Sequence, residues 1–144
     1  MSSSPIYVKN IYMKKRPSPF DELIAIMAQL RSPQGCPWDK HQTHQTLKKY
    51  LREETREAIE AIQENDPGHL CEELGDVLLQ VVFHAQIARE NGEFDIDDVI
   101  RGLVRKLKRR HPHVFGKVKV KDAREVIKNW NAIKARERKN RAIR

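Results

Sequence analysis

The chain has 144 residues, of which 39% are hydrophobic and 33% are charged. This length can bury one core but not two independent ones, and the composition is too apolar for a disordered protein. The formal net charge of +8 favours anionic partners, such as nucleotides or nucleic acid, without choosing between them. Two cysteines without a CxxC pair and the lack of a long apolar run lead us to expect a reducing, cytoplasmic setting with neither secretion nor membrane insertion.

The first part of the chain combines a tail, one helix and one loop. Residues 1–17 have no clear period, and we expect them to form an arm or a tail. A helix is predicted in SPFDELIAIMAQL, because Ser18 can cap it, Pro19 suits its first position and Asp21 completes a capping-box spacing. The following segment RSPQGCPWD contains two prolines and a glycine, so no regular structure is expected there.

Four further helices are predicted in the rest of the chain. They run from about Thr43 to Glu64, from about His69 to Glu90, from a cap at Asp95 to the break before Pro112, and from the capping pair Asp122 and Glu125 through Trp130. Between the last two helices, HPHVFGKVKVK has room for at most a short extended piece. Strand patterns are almost absent, so we predict an all-α bundle of about five helices over residues 18–138, with a basic tail at 139–144.

Carboxylates project from the apolar faces of two of these helices. At about 100° per residue, Glu54 lies in the middle of the apolar stripe of the second helix, and Glu57 lies at its edge one turn from Glu53. Glu73 and Asp76 start the third helix, which is apolar on nearly every side. Antiparallel packing across the NDPG turn would bring the two sets of carboxylates opposite each other.

Carboxylates that face one another need a compensating charge. Two like charges about 4 Å apart repel by roughly 4 kcal/mol at an effective dielectric of 20. A hard divalent cation would offset this repulsion, and oxygen ligands favour Mg²⁺ or Mn²⁺ over Zn²⁺. The alternative is a solvated surface on which Glu53 and Glu57 pair with Lys49 and Arg56, but it leaves the inward position of Glu54 unexplained.

The acidic pattern resembles the metal motif of a known family. Glu53, Glu54 and Glu57 read E-E-x-x-E, and Glu73 and Asp76 read E-x-x-D, which is similar to the motif of the MazG family of all-α nucleoside triphosphate pyrophosphohydrolases. The segments GCPWDKHQTH, CEELGDVLLQVVFHA, GEFDIDDV, KLKRRHPHVFG and WNAIKARE also resemble MazG segments in the same order, over about residues 20–138. The resemblance implies hydrolysis of a nucleoside triphosphate to the monophosphate and pyrophosphate, as nucleotide-pool housekeeping.

The resemblance also implies roles for individual residues. Mg²⁺, with Mn²⁺ as a substitute, would be ligated by Glu54, Glu57, Glu73 and Asp76. Glu53 would orient or deprotonate the attacking water, with a further metal ligand as its alternative role. The substrate would be bound by Lys106, Arg110, Trp130 and Lys134, although RKLKRR could instead be a solubilising helix end and Trp130 a core anchor.

Several alternatives stay open at this point. A basic helical module that binds nucleic acid without catalysis is the main competing function, but the 6% aromatic content and the lack of a binding motif count against it. Cys36, His41 and His44 form a partial zinc set without a fourth suitably spaced ligand. Trp38 could stack on a base or anchor its loop. Because the third helix is apolar all round, we expect it to be covered by a second copy in a homodimer, with a tetramer as the alternative.

Overall fold

The computed structural model describes residues 16–142, which form seven helices and no strand. The all-α class is therefore confirmed, with two more helices than predicted. The chain divides into two compact units, Met1–Gln42 and Thr43–Arg144. The predicted arm lies almost wholly outside the described residues, and the domain limits at 18 and 138 stay predictions. Across residues 16–142, no helix combines the length and apolar character needed to cross a bilayer.

The first unit contains two helices, α1 at Pro19–Leu30 and α2 at Pro37–His41. The capping box predicted for α1 is present: the Ser18 hydroxyl accepts from the Asp21 backbone N–H at 3.1 Å, and the Asp21 carboxylate accepts from the Ser18 N–H at 3.3 Å. The expectation of an irregular loop is wrong for α2. Pro37 occupies the first position of this short helix, where a missing N–H leaves no helical hydrogen bond unmade.

The loop between α1 and α2 is fixed by backbone contacts. The Arg31 guanidinium donates to the carbonyl oxygens of Asp39 and Gln42 at 2.5 and 3.1 Å. A side chain at Gly35 would collide with the backbone carbonyls of Gln29 and Leu30. Glycine is therefore required at this position for steric reasons.

The second unit contains the remaining five helices. They are α3 at His44–Gln63, α4 at Pro67–Glu90, α5 at Ile96–Arg110, α6 at Pro112–Phe115 and α7 at Ala123–Ala142. The short helix α6 lies where at most an extended piece was expected, so that prediction is wrong; again a proline takes the first helical position. Helix α7 continues through residues 139–142, which were assigned to the basic tail.

Helix α3 packs along α4, which also contacts α5, and α5 in turn contacts α6 and α7. The apolar stripe predicted on α3 supplies the buried residues Leu47, Ala58 and Ala61. Helix α4 supplies Val82, Phe83, Ala85, Ile87 and Ala88. Glu54 occupies the same stripe of α3, so this packing carries its carboxylate towards α4.

A very short turn reverses the chain between α3 and α4. Helix α3 ends at a C-cap on Glu64, and Asn65 adopts a left-handed backbone conformation with a φ of 55°. Asp66 then caps α4 by accepting from the His69 backbone N–H at 3.1 Å, and Pro67 begins the helix two residues before the predicted start. The two helices are antiparallel, because His44 at the start of α3 contacts His84 near the end of α4.

One side of α4 remains exposed despite its apolar character. Leu74, Leu78 and Val81, which lie one helical turn apart, are 53%, 39% and 39% exposed. The sequence-based expectation that α3, α5 and α7 cannot cover all of α4 agrees with this exposure. We refer to these three residues as the α4 stripe.

Candidate functional site

The α3–α4 pair brings together three carboxylates from two helices. One oxygen from each of Glu54, Glu57 and Glu73 lies within 4.8 Å of the other two. Glu54 and Glu57 are one turn apart on α3, and the antiparallel packing places Glu73 opposite them. The convergence predicted from helical phase is therefore present for these three residues.

Two of these carboxylates have an oxygen that is both buried and without a partner. Among the described residues, Glu54 Oε2 and Glu73 Oε2 are buried and accept no hydrogen bond. A buried acceptor without a partner costs about 1–3 kcal/mol, and more if it is charged. These two oxygens thus indicate that the site is completed by something outside the described chain.

The electrostatics of the cluster show mutual repulsion. Burial, and after it the charge of Asp76, raises the pKa of Glu54 above its usual range, and the charges of Glu57, Glu73 and Glu53 act in the same direction. Burial followed by the charge of Glu73 likewise raises the pKa of Glu57. Asp76 is outside the set of oxygens within 4.8 Å, but its charge reaches Glu54. Glu53 is exposed and adds its charge to both α3 carboxylates.

The solvated-surface alternative depends on cations that have other contacts. Arg56 forms an exposed ion pair with Glu60 at 3.4 Å, and Lys49 Nζ lies 4.8 Å from the centre of the Tyr50 ring. Arg56 lowers the pKa of Glu57, but its effect is smaller than that of burial and of Glu73. The cluster is therefore a convergence of carboxylates between two helices, which an oxygen-preferring divalent cation would fit.

A histidine that the sequence analysis did not single out connects this cluster to the turn. His69 Nδ1 lies 2.9 Å from Glu64 Oε2, and His69 Nε2 lies 3.0 Å from Glu73 Oε1. The hydrogen bond to Glu64 is the main cause that raises the pKa of His69, and burial opposes it. An imidazolium can donate from both nitrogens, so the two carboxylates hold the ring between them.

The four predicted substrate residues are distributed over α5 and α7. Arg110 and Trp130 come together, with the guanidinium carbon 5.4 Å from the indole centre. Lys106 and Lys134 are half-buried on the same two helices, which contact each other. The His111 ring adds an edge contact to Trp130, with ring centres 4.9 Å apart.

Glu137 is the residue that fixes Arg110. Arg110 Nη2 donates to Glu137 Oε2 at 2.8 Å, and Arg109 Nε donates to Glu137 Oε1 at 2.5 Å. These two hydrogen bonds, with that from Arg110 the larger cause, lower the pKa of Glu137 to about 2. Arg110 Nε is nevertheless buried without a partner among the described residues.

The partial zinc set does not converge on a metal. His44 Nδ1 lies 2.8 Å from His84 Nδ1 with the rings stacked, and His41 Nδ1 lies 2.6 Å from the Pro37 carbonyl oxygen. Within residues 16–142, Glu54, Glu57 and Glu73 are the one group of three or more metal-ligating side chains. Trp38 is half exposed, and both of its suggested roles stay open.

Comparison with known families identifies the domain that carries this cluster. The model of the MazG nucleotide pyrophosphohydrolase domain matches residues 42–115, which is just over half of the chain. This chain belongs to the MazG family. The matched range contains the whole acidic motif together with Lys106 and Arg110, whereas Trp130, Lys134 and Glu137 follow it.

Similar proteins have been named as enzymes in other bacteria. The nucleoside triphosphate pyrophosphohydrolase/pyrophosphatase MazG of Thermotoga maritima is 58% identical over 126 residues, which cover 88% of this chain and 48% of that protein. The nucleoside triphosphate pyrophosphohydrolase of Escherichia coli K12 is 48% identical over 123 residues, covering 85% of this chain and 47% of that protein. The uncharacterized protein YabN of Bacillus subtilis is 56% identical over 119 residues, covering 83% of this chain and 24% of that protein.

A solved structure agrees with these sequence matches. The crystal structure of a mazG-related protein from Thermotoga maritima is 31% identical in sequence and has a TM-score of 0.66, with 80% of this chain and 98% of that chain covered. The MazG fold is therefore shown for most of the chain. In contrast, this chain spans between a quarter and a half of the length of the three curated relatives.

Sequence reasoning missed His69, Glu64 and Glu137 in this MazG domain. His69 precedes Glu73 by four residues, which is a helical spacing that could have connected them. Glu137 follows Trp130 by seven residues and so lies on the same face of α7. Glu64 had no such signal, because it reaches His69 through the turn at Asn65.

Proposed function

We propose that this MazG domain hydrolyses nucleoside triphosphates to nucleoside monophosphates and pyrophosphate in a Mg²⁺-dependent reaction. The observation that carries the proposal is the convergence of Glu54, Glu57 and Glu73, two of which have a buried oxygen without a partner. Two relatives that share about half their length with this chain are named nucleoside triphosphate pyrophosphohydrolases, which supports the same reaction here. Nucleotide-pool housekeeping is the role we propose for it.

The acidic residues would hold the cation. Glu54 and Glu57 present carboxylates from α3, Glu73 presents one from α4, and Asp76 is placed one turn further along α4. We assign all four as ligands of Mg²⁺, with Mn²⁺ as a substitute, because the donor set consists of oxygen atoms alone. When bound, the cation would neutralise negative charge on the triphosphate and help to fix its position.

Glu53 is assigned to the water. It is exposed beside the cluster, and its negative charge reaches Glu54 and Glu57. A carboxylate at the edge of the site can accept a hydrogen bond from water and orient it towards a bound triphosphate. A Glu53→Gln variant should therefore lose turnover while it keeps most of the Mg²⁺ affinity, and loss of Mg²⁺ affinity instead would make Glu53 a metal ligand.

The cationic residues would bind the substrate. Glu137 holds the Arg110 guanidinium against Trp130, so its orientation is set before a ligand arrives. A fixed planar guanidinium is suited to phosphate oxygens, whereas Lys106 and Lys134 would act as mobile point charges. The buried Arg110 Nε, which lacks a partner among residues 16–142, supports a role in binding an anion.

Product analysis tests the proposal. The chain is incubated with a panel of canonical and modified nucleoside triphosphates, with and without Mg²⁺, and the products are separated and identified. We expect monophosphate and pyrophosphate only when the metal is present. Glu54→Gln should abolish the products, whereas the matched variant Glu60→Gln, which removes an exposed carboxylate of the same helix, should keep them.

Other outcomes would contradict the proposal. Diphosphate and inorganic phosphate would indicate cleavage at a different bond. Salt-sensitive binding of DNA or RNA without turnover would favour the nucleic-acid-binding alternative, which the family membership does not favour. Activity that survives in Glu54→Gln would remove the role of the acidic cluster.

We also propose that the domain acts as a homodimer in the cytoplasm. The α4 stripe is an exposed apolar surface on an otherwise buried helix, which supports association through α4. The free thiols of Cys36 and Cys71 support a reducing compartment. Light scattering should give a dimer mass, and Leu78→Lys should shift it towards the monomer; an unchanged mass would exclude the stripe as the interface.

A further inference from the structure

We infer that His69 is a positioning residue, which orients the Glu73 carboxylate so that its second oxygen faces the cation site. This inference rests on the metal site of the proposed function. His69 lies outside the motif of five acidic residues, and its contacts connect that motif to the turn between α3 and α4. The imidazole therefore has a place in the site that the acidic motif does not describe.

The two oxygens of Glu73 have different surroundings. Oε1 is 3.0 Å from His69 Nε2, whereas Oε2 is buried and has no partner in the described part of the chain. Glu73 itself is 8% exposed, so water has little access to its carboxylate. Because the histidine occupies one oxygen, the carboxylate presents the other to Glu54 and Glu57, whose oxygens lie within 4.8 Å.

The imidazole is itself held from the other side. His69 Nδ1 lies 2.9 Å from Glu64 Oε2, and Glu64 is the C-cap residue of α3. The left-handed conformation of Asn65 allows the chain to reverse between Glu64 and His69. The ring is therefore clamped at both nitrogens, and a clamped ring can restrict the rotation of Glu73. Residues that orient a metal ligand in this way are often nearly as important as the ligand.

Orientation and charge make opposite predictions for the same substitution. If His69 acted only through its positive charge, its removal would make the site more negative and strengthen cation binding. If His69 positions Glu73, its removal frees the carboxylate to rotate and weakens cation binding despite the more negative surroundings. The sign of the change in Mg²⁺ affinity thus separates the two roles.

Three variants test this difference by calorimetric titration with Mg²⁺ and with Mn²⁺. His69→Leu removes both hydrogen bonds, and we expect the dissociation constant to rise by about 10- to 100-fold. His69→Gln places an amide donor near the position of Nε2, and we expect an affinity within about threefold of the original chain because the contact with Glu73 is restored. Glu72→Gln removes an exposed carboxylate from the same turn of α4 and serves as the control for a change in net charge.

Thermal unfolding without metal accompanies each titration, so that a folding defect is recognised. If His69→Leu does not fold, His69→Asn replaces it, because the shorter amide does not reach Glu73. Tighter binding in the leucine variant would overturn the inference in favour of a charge effect. Equal loss in the leucine and glutamine variants, or no loss in either, would overturn it as well.

The metal-free melting temperature and the nucleotide products separate this inference from the proposed function. If the original chain binds Mg²⁺ and the histidine series behaves as expected, but no pyrophosphate forms, the inference holds and the proposed reaction fails. If pyrophosphate forms and the histidine variants bind Mg²⁺ like the original chain, the reaction holds and the inference fails. If the original chain does not bind Mg²⁺ or Mn²⁺, both are wrong.

Discussion

Replacing Glu54 by glutamine should stabilise the metal-free chain and at the same time remove most of its response to Mg²⁺. Glu54 projects between α3 and α4, where burial and neighbouring carboxylates raise its pKa. The substitution keeps the shape of the side chain and removes its charge. It also places an amide donor within reach of Glu73 Oε2, which is buried and lacks a partner among the described residues.

The size of the effect follows from the geometry. Oxygens of Glu54 and Glu73 lie within 4.8 Å of each other, and two unit charges at that distance repel by about 3.5 kcal/mol at an effective dielectric of 20. Partial solvent screening reduces this value, so we expect the variant to gain about 1–2 kcal/mol without metal. For a chain of this size, that corresponds to a rise of about 3–8 °C in the melting temperature.

Magnesium should reverse the order of the two proteins. At a free concentration of 100 times the dissociation constant, a ligand that binds only the folded state stabilises it by about 2.7 kcal/mol. The original chain should gain this amount, whereas Glu54→Gln, which lacks one ligand, should gain much less. The excess of the variant without metal therefore becomes a deficit with metal.

Thermal unfolding in EDTA and in a Mg²⁺ series measures both effects. Glu60→Gln is the matched control, because it removes a carboxylate on the exposed face of α3 that pairs with Arg56 at 3.4 Å. Its metal-free stability should change by no more than about 0.5 kcal/mol, with the full response to Mg²⁺. The reasoning is refuted if Glu54→Gln lowers the metal-free melting temperature and responds to Mg²⁺ as the original chain does.

Two further predictions concern other parts of the chain. The pKa of Glu137 is lowered to about 2 by Arg110 and then Arg109, so its ion pairs stabilise the folded state above pH 4.5 and this contribution disappears as the pH falls through 2. In urea unfolding, Glu137→Gln should be less stable than the original chain at pH 7, and the gap should narrow from pH 4.5 downwards; a gap that is constant with pH would contradict this. Gly35→Ala should destabilise by more than about 2 kcal/mol because the new methyl group meets backbone carbonyls, whereas Gly102→Ala, which meets only the end of a flexible side chain at 4.0 Å, should gain up to about 1 kcal/mol from helix propensity. Equal effects of the two alanine substitutions on chemical unfolding would refute the steric argument.

The five long helices could be predicted from the sequence because periodicity and capping residues agree at each of them. The boxes at Ser18 and Asp95 are present, and Thr43 caps α3 where the prediction placed its start. The short helices α2 and α6 could not be predicted in this way, since five or four residues show no helical period. Their prolines were interpreted as breaks, whereas both occupy first helical positions.

The acidic site was predictable to the extent that it depends on helical phase. Glu54, Glu57 and Glu73 project from faces that meet, so the spacing along α3 and α4 was sufficient to bring them together. The surroundings of Glu73 were not predictable, because they depend on the backbone of Asn65, which folds Glu64 back beside His69. A contact made through one left-handed residue leaves no periodic signal in a sequence.

The turn of three residues between α3 and α4 also has a kinetic consequence. All the proposed ligands lie on one helical hairpin, and a hairpin with so short a connection closes early in folding because little chain entropy is lost. Carboxylate repulsion would therefore already oppose the transition state, and not only the finished fold. Magnesium should then accelerate refolding in stopped-flow experiments, whereas a site assembled from distant segments would respond mainly through slower unfolding.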